Sequence, residues 1–287
     1  MGGFGRWDGG LDIFLKTVVV VMTAFCALCV FLRKILIQLT HKNTQSPMKP
    51  VLAAALALSA FTLSSAQAVE LLTNGNFEAG SLAGWTTFNQ AGGNGNFFID
   101  APGTTTPSSS FATAPNASGG AFYAVTDQGG AGTHAILQTF VISAPGSTVI
   151  VSFQMFVNSE SAPLAINPAG LDYTASPNQH ARVDILSGAA APLDTGAGVL
   201  DNLFIGVDAG PNPHAYTPYS FDITSFVATP GTYQLRFAES DNSGFLHLGV
   251  DNVSVAVTVP EPASVSFLAL ALSGMLAGWR PKNRARA

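Results

Sequence analysis

The apolar runs between residues 69 and 257 are short, rich in Val, Ile, Phe, Tyr and Thr, and fenced by Gly, Pro, Asn or Asp. Eleven stand out, at 69–73, 84–88, 96–100, 121–126, 134–142, 148–157, 181–187, 202–207, 219–223, 231–239 and 246–257. Several alternate with period two: Tyr233, Leu235 and Phe237 interleave with Gln234, Arg236 and Ala238. Such alternation puts one set of side chains on each face of a strand. No stretch of this region keeps a capped 3.6-residue apolar period. Many short strands between turn clusters predict an all-β fold, an antiparallel β-sandwich or barrel. The stretch 101–120, APGTTTPSSSFATAPNASGG, is so poor in apolar groups that it reads as a long unpacked loop. No internal repeat is visible.

Charge is distributed very unevenly. Arg6, Lys16, Arg33, Lys34, Lys42 and Lys49 lie near the start, and Arg280, Lys282, Arg284 and Arg286 at the end. Between Val69 and Val259 there are two arginines, Arg182 and Arg236, no lysine, and fourteen Asp and Glu, a net charge of −12. A surface of that sign repels phosphate backbones and offers counterion release nothing to work with, so nucleic acid is excluded as a partner. Both cysteines, Cys26 and Cys29, fall inside the first apolar stretch, as small residues of a hydrophobic segment with no second pair to make a metal site. The acidic region of roughly 190 residues is long enough to bury a core without disulfides.

Candidate chemistry in that region is sparse. Asp127 and His134 invite a catalytic or metal reading, but Gly129, Gly130 and Gly132 lie between them and point to a hairpin loop with unusual backbone angles. His134, His180, His214 and His247 are scattered, without H-x-H or H-x-x-x-H spacing. Glu239 and Asp241 have the residue types of an acid–base pair for glycan chemistry. Lying two apart at a strand end, they read as solvated edge residues. There is no G-x-S-x-G, no S-x-x-K and no phosphate loop. No catalytic residue is therefore expected. Trp85 and Phe77 read as core anchors around a bend, whereas Tyr123, Tyr173, Tyr216 and Tyr219 are candidate platforms for stacking on sugar.

The two ends carry targeting features. Residues 48–68, MKPVLAAALALSAFTLSSAQA, have the layout of a secretory signal peptide, with a Lys after Met48, an apolar core over 51–63, and small Ala66 and Ala68 before the cut. A complete signal peptide there leaves residues 1–47, with an apolar segment near 18–32, as an over-extended reading frame or a membrane segment. Residues 258–287 hold Pro260, Glu261 and Pro262, then an apolar stretch over 263–279, then Arg280, Lys282, Arg284 and Arg286. At ~1.5 Å per residue that stretch is about 25 Å long, barely a bilayer core. The arginines after it stay cytoplasmic, so the region before it faces outward.

Pro260-Glu261-Pro262, a short helix and a basic end resemble a PEP-CTERM sorting signal. The resemblance implies a Gram-negative exported protein handled by the Sec translocon, by signal peptidase and by an exosortase, an integral-membrane cysteine transpeptidase. It would then pass from the inner membrane to the surface or the exopolysaccharide matrix. The segment DQGGAGTH, 127–134, resembles one found in a group of such exported proteins. LLTNGNFEAGSLAGW at 71–85, taken with DNVSV at 251–255, resembles galactose-binding-like jelly rolls, including carbohydrate-binding modules. That resemblance implies a jelly-roll ectodomain over 69–257 with its first and last strands adjacent. It also implies a structural Ca²⁺ near Glu78 and Asp251. Two roles remain open on these grounds: a non-enzymatic matrix protein, or a glycan-binding adhesin for extracellular polysaccharide.

Overall fold

In the computed structural model, the residues described are 68–115, 120–160, 166–167 and 170–258. They form eleven strands: β1 (Ala68–Glu70), β2 (Thr86–Asn89), β3 (Asn96–Asp100), β4 (Tyr123–Asp127), β5 (Gly132–Ile142), β6 (Thr148–Ser159), β7 (His180–Ser187), β8 (Val199–Gly206), β9 (Thr217–Asp222), β10 (Gly231–Asp241) and β11 (Leu246–Thr258). Each falls on one of the eleven runs legible in the sequence. The signal peptide up to residue 67, Ala66 included, and the whole sorting segment from 259 onward lie outside the described residues. No helix among the described residues is long and apolar enough to cross a membrane.

The strands form two antiparallel sheets. One runs β3-β4-β11-β6-β9, with β1 also pairing to β11, and the other runs β2-β5-β10-β7-β8. The chain crosses between sheets at every connection except β3–β4 and β7–β8, the winding expected of a jelly roll. First and last strands are neighbours, as the motif pair implied: Ala68 faces Thr258 and Glu70 faces Ala256. The β1 strand is shorter than the run over 69–73, because Thr73 turns away to Gln138, whose side-chain Oε1 accepts the Thr73 N–H at 2.6 Å.

Alternation builds the core. Tyr233, Leu235 and Phe237 point between the sheets, where Phe237 meets Trp85 (ring centroids 6.1 Å apart) and Phe153 (5.1 Å) edge-on. Trp85 and Phe77 anchor the bend as expected; the indole N–H donates to the Asn74 carbonyl at 3.1 Å, so its polar end is satisfied inside. The bend also locks onto β11. Val253 N–H donates to Gly75 O at 2.8 Å, and a Cβ on Gly75 would stand 1.9 Å from the Val253 carbonyl oxygen. Only glycine fits at 75. On the other side of this lock, Asn252 takes φ +51° at the bulge between Asp251 and Ser254.

Part of the outward face of the second sheet is buried as well. The loops around 171–178 and 188–198 fold over it, and Leu171 packs with Leu137, Leu186 and Ala238. Under that cover Asp184 takes both arginines of the acidic region. Arg182 Nη2 lies 2.6 Å from Oδ1, and Arg236 Nη2 lies 2.5 Å from Oδ2. Arg236 Nη1 donates to the carbonyls of Pro192 and Asp194, tying the covering loop down. Burial alone would raise the Asp184 carboxyl, but the two guanidiniums and Asn202 hold it below the usual range.

Candidate functional site

At one end of the sandwich β4, β6 and β10 finish, β5 and β11 begin, and the loop 101–115 arrives from the first sheet. They enclose a cavity of about 360 Å³. That lies toward the small end of the ~300–1,000 Å³ usual for ligand pockets.

The loop 101–115 is packed, contrary to its composition. It closes on itself through the Thr105–Ala112 bridge, and Thr106, Thr113 and Ala114 are buried. Its anchor is polar. The Asp127 carboxylate accepts the N–H groups of Ser108 and Ser109 and the Ser109 hydroxyl. His247 Nε2 stands 3.2 Å from Asp127 Oδ1 and 3.0 Å from Ser109 Oγ. Burial pushes Asp127 up, yet the Ser109 and Ser108 hydrogen bonds and His247 hold its carboxyl below the usual carboxylate range. Burial lowers the His247 imidazole more than Asp127 raises it. The histidine is thus neutral beside a charged aspartate at pH 7.

Ser109, His247 and Asp127 share the residue types of a hydrolytic relay but not its arrangement. In a relay the carboxylate orients Nδ1–H, and the serine donates to Nε2. Here both oxygens crowd Nε2, the serine proton is committed to the carboxylate, and His247 Nδ1 is buried with no hydrogen-bond partner. The trio is a strap that holds the loop on the sheet. Its partner for Asp127 is not the one the sequence offered. His134 lies on β5 in the other sheet, with Nδ1 2.8 Å from Asn89 Oδ1 and Nε2 2.8 Å from the Asn94 carbonyl.

What the strap positions is an aromatic face. Phe111, 38% exposed, lies on Phe245 with ring centroids 3.9 Å apart, and Phe245 stacks in turn on His247 at 5.1 Å. Polar groups ring this face. Gln128, 4% exposed, donates its amide to Leu246 O at 2.6 Å, and its Oε1 has no hydrogen-bond partner. Asp241, 2% exposed, accepts Gly132 N–H at 2.8 Å, and burial pushes its carboxyl up to about 6. Asn242 spends its amide on the Tyr173 carbonyl, and Glu160 stands exposed at the rim.

Several expectations are corrected here. Glu239 and Asp241 are not solvated edge residues. Both share the inward face of β10 with Tyr233, Leu235 and Phe237 by period two, and the strand is flanked by β5 to Asp241 and by β7 to Ser240. Glu239 is fully buried, neither carboxylate oxygen has a hydrogen-bond partner, and burial drives its pKa well up. Tyr123 and Tyr216 are buried against Phe156, so neither is a sugar platform. Gly129, Gly130 and Gly132 do not take positive φ. Gly132 is needed for close approach, since a Cβ there would stand 2.3 Å from the Asn94 carbonyl oxygen.

The two residues expected at a calcium ion have other partners. Glu78 Oε1 accepts the N–H groups of Ala121 and Phe122, at 2.9 and 3.2 Å. Asp251, buried on β11, accepts the Asn252 N–H at 2.7 Å. Among the described residues no group of three or more His, Cys, Asp or Glu stands together to hold a metal. Calcium takes six to eight hard oxygens, so Glu78 and Asp251 would need amide and carbonyl oxygens beside them to hold it.

No protein-family model matches the chain, and no curated protein matches it either. Solved structures do. TmCBM61 in complex with β-1,4-galactotriose matches at 11% identity and a TM-score of 0.41, over 65% of this chain and 97% of that one. The K1 cleaved adhesin domain of Lys-gingipain from Porphyromonas gingivalis W83 matches at 12% and 0.38, over 68% and 99%. A cyclase from Fischerella sp. TAU, in complex with 4-(1H-indol-3-yl)butan-2-one, matches at 18% and 0.42, over 68% and 100%. A module bound to a glycan, an adhesin domain and a cyclase thus share this level of likeness. None of them bears on what the present chain binds.

Proposed function

We propose that the chain is an exported, surface-sorted glycan-binding protein, with its sugar site in the groove beside Phe111 and Phe245. The observation that carries the proposal is an exposed aromatic face set next to a buried, unpartnered acceptor, Gln128 Oε1. Flat apolar contact with a few fixed polar groups is how small-ligand sites obtain both affinity and orientation. A glycan offers what the groove lacks, a C–H face for the phenyl rings and hydroxyl donors for the acceptors. Binding without chemistry is the favoured role, because the one Ser–His–Asp cluster described is arranged as a strap.

The export half of the proposal rests on sequence. Ala68 ends a signal-peptide pattern, and Pro260, Glu261 and Pro262 precede an apolar stretch and a basic end. An exosortase-type transpeptidase is the processing partner, and extracellular polysaccharide is the ligand source. A glycan array with the exported protein and its Phe111→Ala variant tests the binding half. Retention on at least one polysaccharide is expected, weakened about tenfold or more in the variant, as for loss of an aromatic anchor. No retention at millimolar sugar would leave the ectodomain a structural component of the extracellular matrix.

A further inference from the structure

The groove is one-sided in charge: its lining holds the carboxylates of Glu160 and Asp241 and no Lys or Arg. Three of its donors point inward: the Gln128 amide toward Leu246 O, the Asn242 amide toward Tyr173 O, the Gly129 N–H toward Asn94 Oδ1. Acceptors remain, namely the unpartnered Gln128 Oε1, the desolvated Asp241 carboxylate and the Glu160 carboxylate at the rim. Among the described residues, no Lys or Arg lines the groove to answer them. Arg182 and Arg236 are the two basic residues between Val69 and Val259, and both are committed to Asp184. Among the described residues, Glu160 Oε2 accepts the Phe245 N–H, at a long 3.4 Å.

A ligand that suits these acceptors brings donors, and positive charge with them. We propose that the groove prefers glycan units carrying a free primary amine, cationic aminohexoses, over neutral, N-acylated or acidic sugars. An ammonium group has three donors and no acceptor. Hydrogen bonds from a charged donor to a carboxylate are stronger than neutral ones. The phenyl faces of Phe111 and Phe245 add attraction for a cation within about 6 Å of a ring centroid. N-acetylation removes the charge, leaving a single amide donor. A uronate would set a second carboxylate against Asp241 and Glu160, in a setting where like-charge contact is a means of rejection. The high position of the Asp241 carboxyl fits the same picture, since a buried acid with no cation beside it favours its neutral form.

This inference rests on the glycan reading of the groove, and titration calorimetry separates the two. The full-length protein is titrated at low and at moderate salt with four oligosaccharides of equal length. These are β-linked glucosamine, its N-acetylated form, a neutral glucan and a uronate. The amine-bearing oligomer is expected to bind at least about tenfold tighter than the N-acetylated one. The margin is expected to shrink with salt, because a charged contact is screened. Glu160→Gln, at the exposed rim, should cut that margin severalfold and leave the fold intact by circular dichroism. Phe111→Ala should weaken every sugar that binds. Phe111-dependent binding of neutral or uronate oligomers equal to that of the amine form would overturn the preference and leave the glycan site standing. Failure of all four oligomers to bind would overturn both.

Discussion

Glu239 is fully buried on the inward face of β10, with His134 Nε2 3.9 Å from its Oε1 and no hydrogen bond to either oxygen. Burial raises the glutamate and lowers the histidine, so both shifts favour the neutral forms over an ion pair. The folded chain then keeps a proton that the unfolded chain releases above the ordinary glutamate range. Unfolding releases that proton, so this residue's contribution falls as pH rises from that range toward the higher folded value. Asp241 acts in the same direction up to about 6. His134, His180 and His247, all lowered mainly by burial, act oppositely, their contribution being lost as pH falls below the ordinary histidine value. Comparing Glu239→Gln with wild type removes those shared effects. The variant is expected to melt a few degrees higher at pH 8, since a tenfold difference in proton affinity between folded and unfolded chains is worth about 1.4 kcal/mol. It should differ little at pH 4. A variant that melts lower at pH 8 would show that Glu239 is charged and paired.

At the scale of elements, the strap decides whether the groove has a face. Asp127 on β4, His247 on β11 and Ser109 in the loop hold Phe111 over Phe245. Asp127→Asn keeps the shape but discards the charge behind its hydrogen bonds, a loss of about 1–3 kcal/mol for a buried charged acceptor. The expected outcome is faster amide exchange across 104–113 and weaker glycan binding, with β5 and β10 unchanged in protection. Uniform loss of protection in both sheets would show that the carboxylate supports the whole sandwich instead. This is also where the sequence was least legible. All eleven strands could be read from it, because alternation of Val, Ile, Phe and Tyr is a local pattern. The meeting of the Asn74-Gly75 bend with the 251–255 strand was implied by the resemblance to galactose-binding-like jelly rolls, not by any local pattern. The strap could not be read. It joins residues more than a hundred positions apart, and the loop packs by hydrogen bonds to one buried carboxylate, which apolar counting cannot register. The depth of Glu239 was hidden for a related reason, since nothing in its own strand shows that β5 and β7 reach past it.

At the scale of the whole molecule, β11 sets the geometry of display. Its first residue, Leu246, follows Phe245 in the groove, and its last, Thr258, pairs with Ala68. At ~3.3 Å per residue the strand spans roughly 40 Å. The described chain therefore enters and leaves the sandwich at the end opposite the groove beside Phe111 and Phe245. Signal cleavage after Ala68 would preserve the pairing of Val69 with Val257, and cutting at Pro260, Glu261 and Pro262 would fall just beyond the last paired residue. Both cuts spare the fold. Before the second cut, the arginines after residue 279 would hold the tail, since moving each through the bilayer centre costs at least about 2.5–3.5 kcal/mol. Both prolines lack backbone N–H groups and disfavour helix, a composition that would suit recognition by a transpeptidase. Mass spectrometry of surface-released protein from a producing strain and from one lacking the exosortase tests this sequence of events. Release is expected to begin at Val69, to end near Pro262, and to stop in the mutant, with the chain accumulating in the inner membrane. Glycan binding should be equal in the anchored and released forms, because the groove lies at the far end of β11 from both cuts. Equal release from the two strains, or released protein still carrying Arg284 and Arg286, would reduce the tail to a plain membrane anchor.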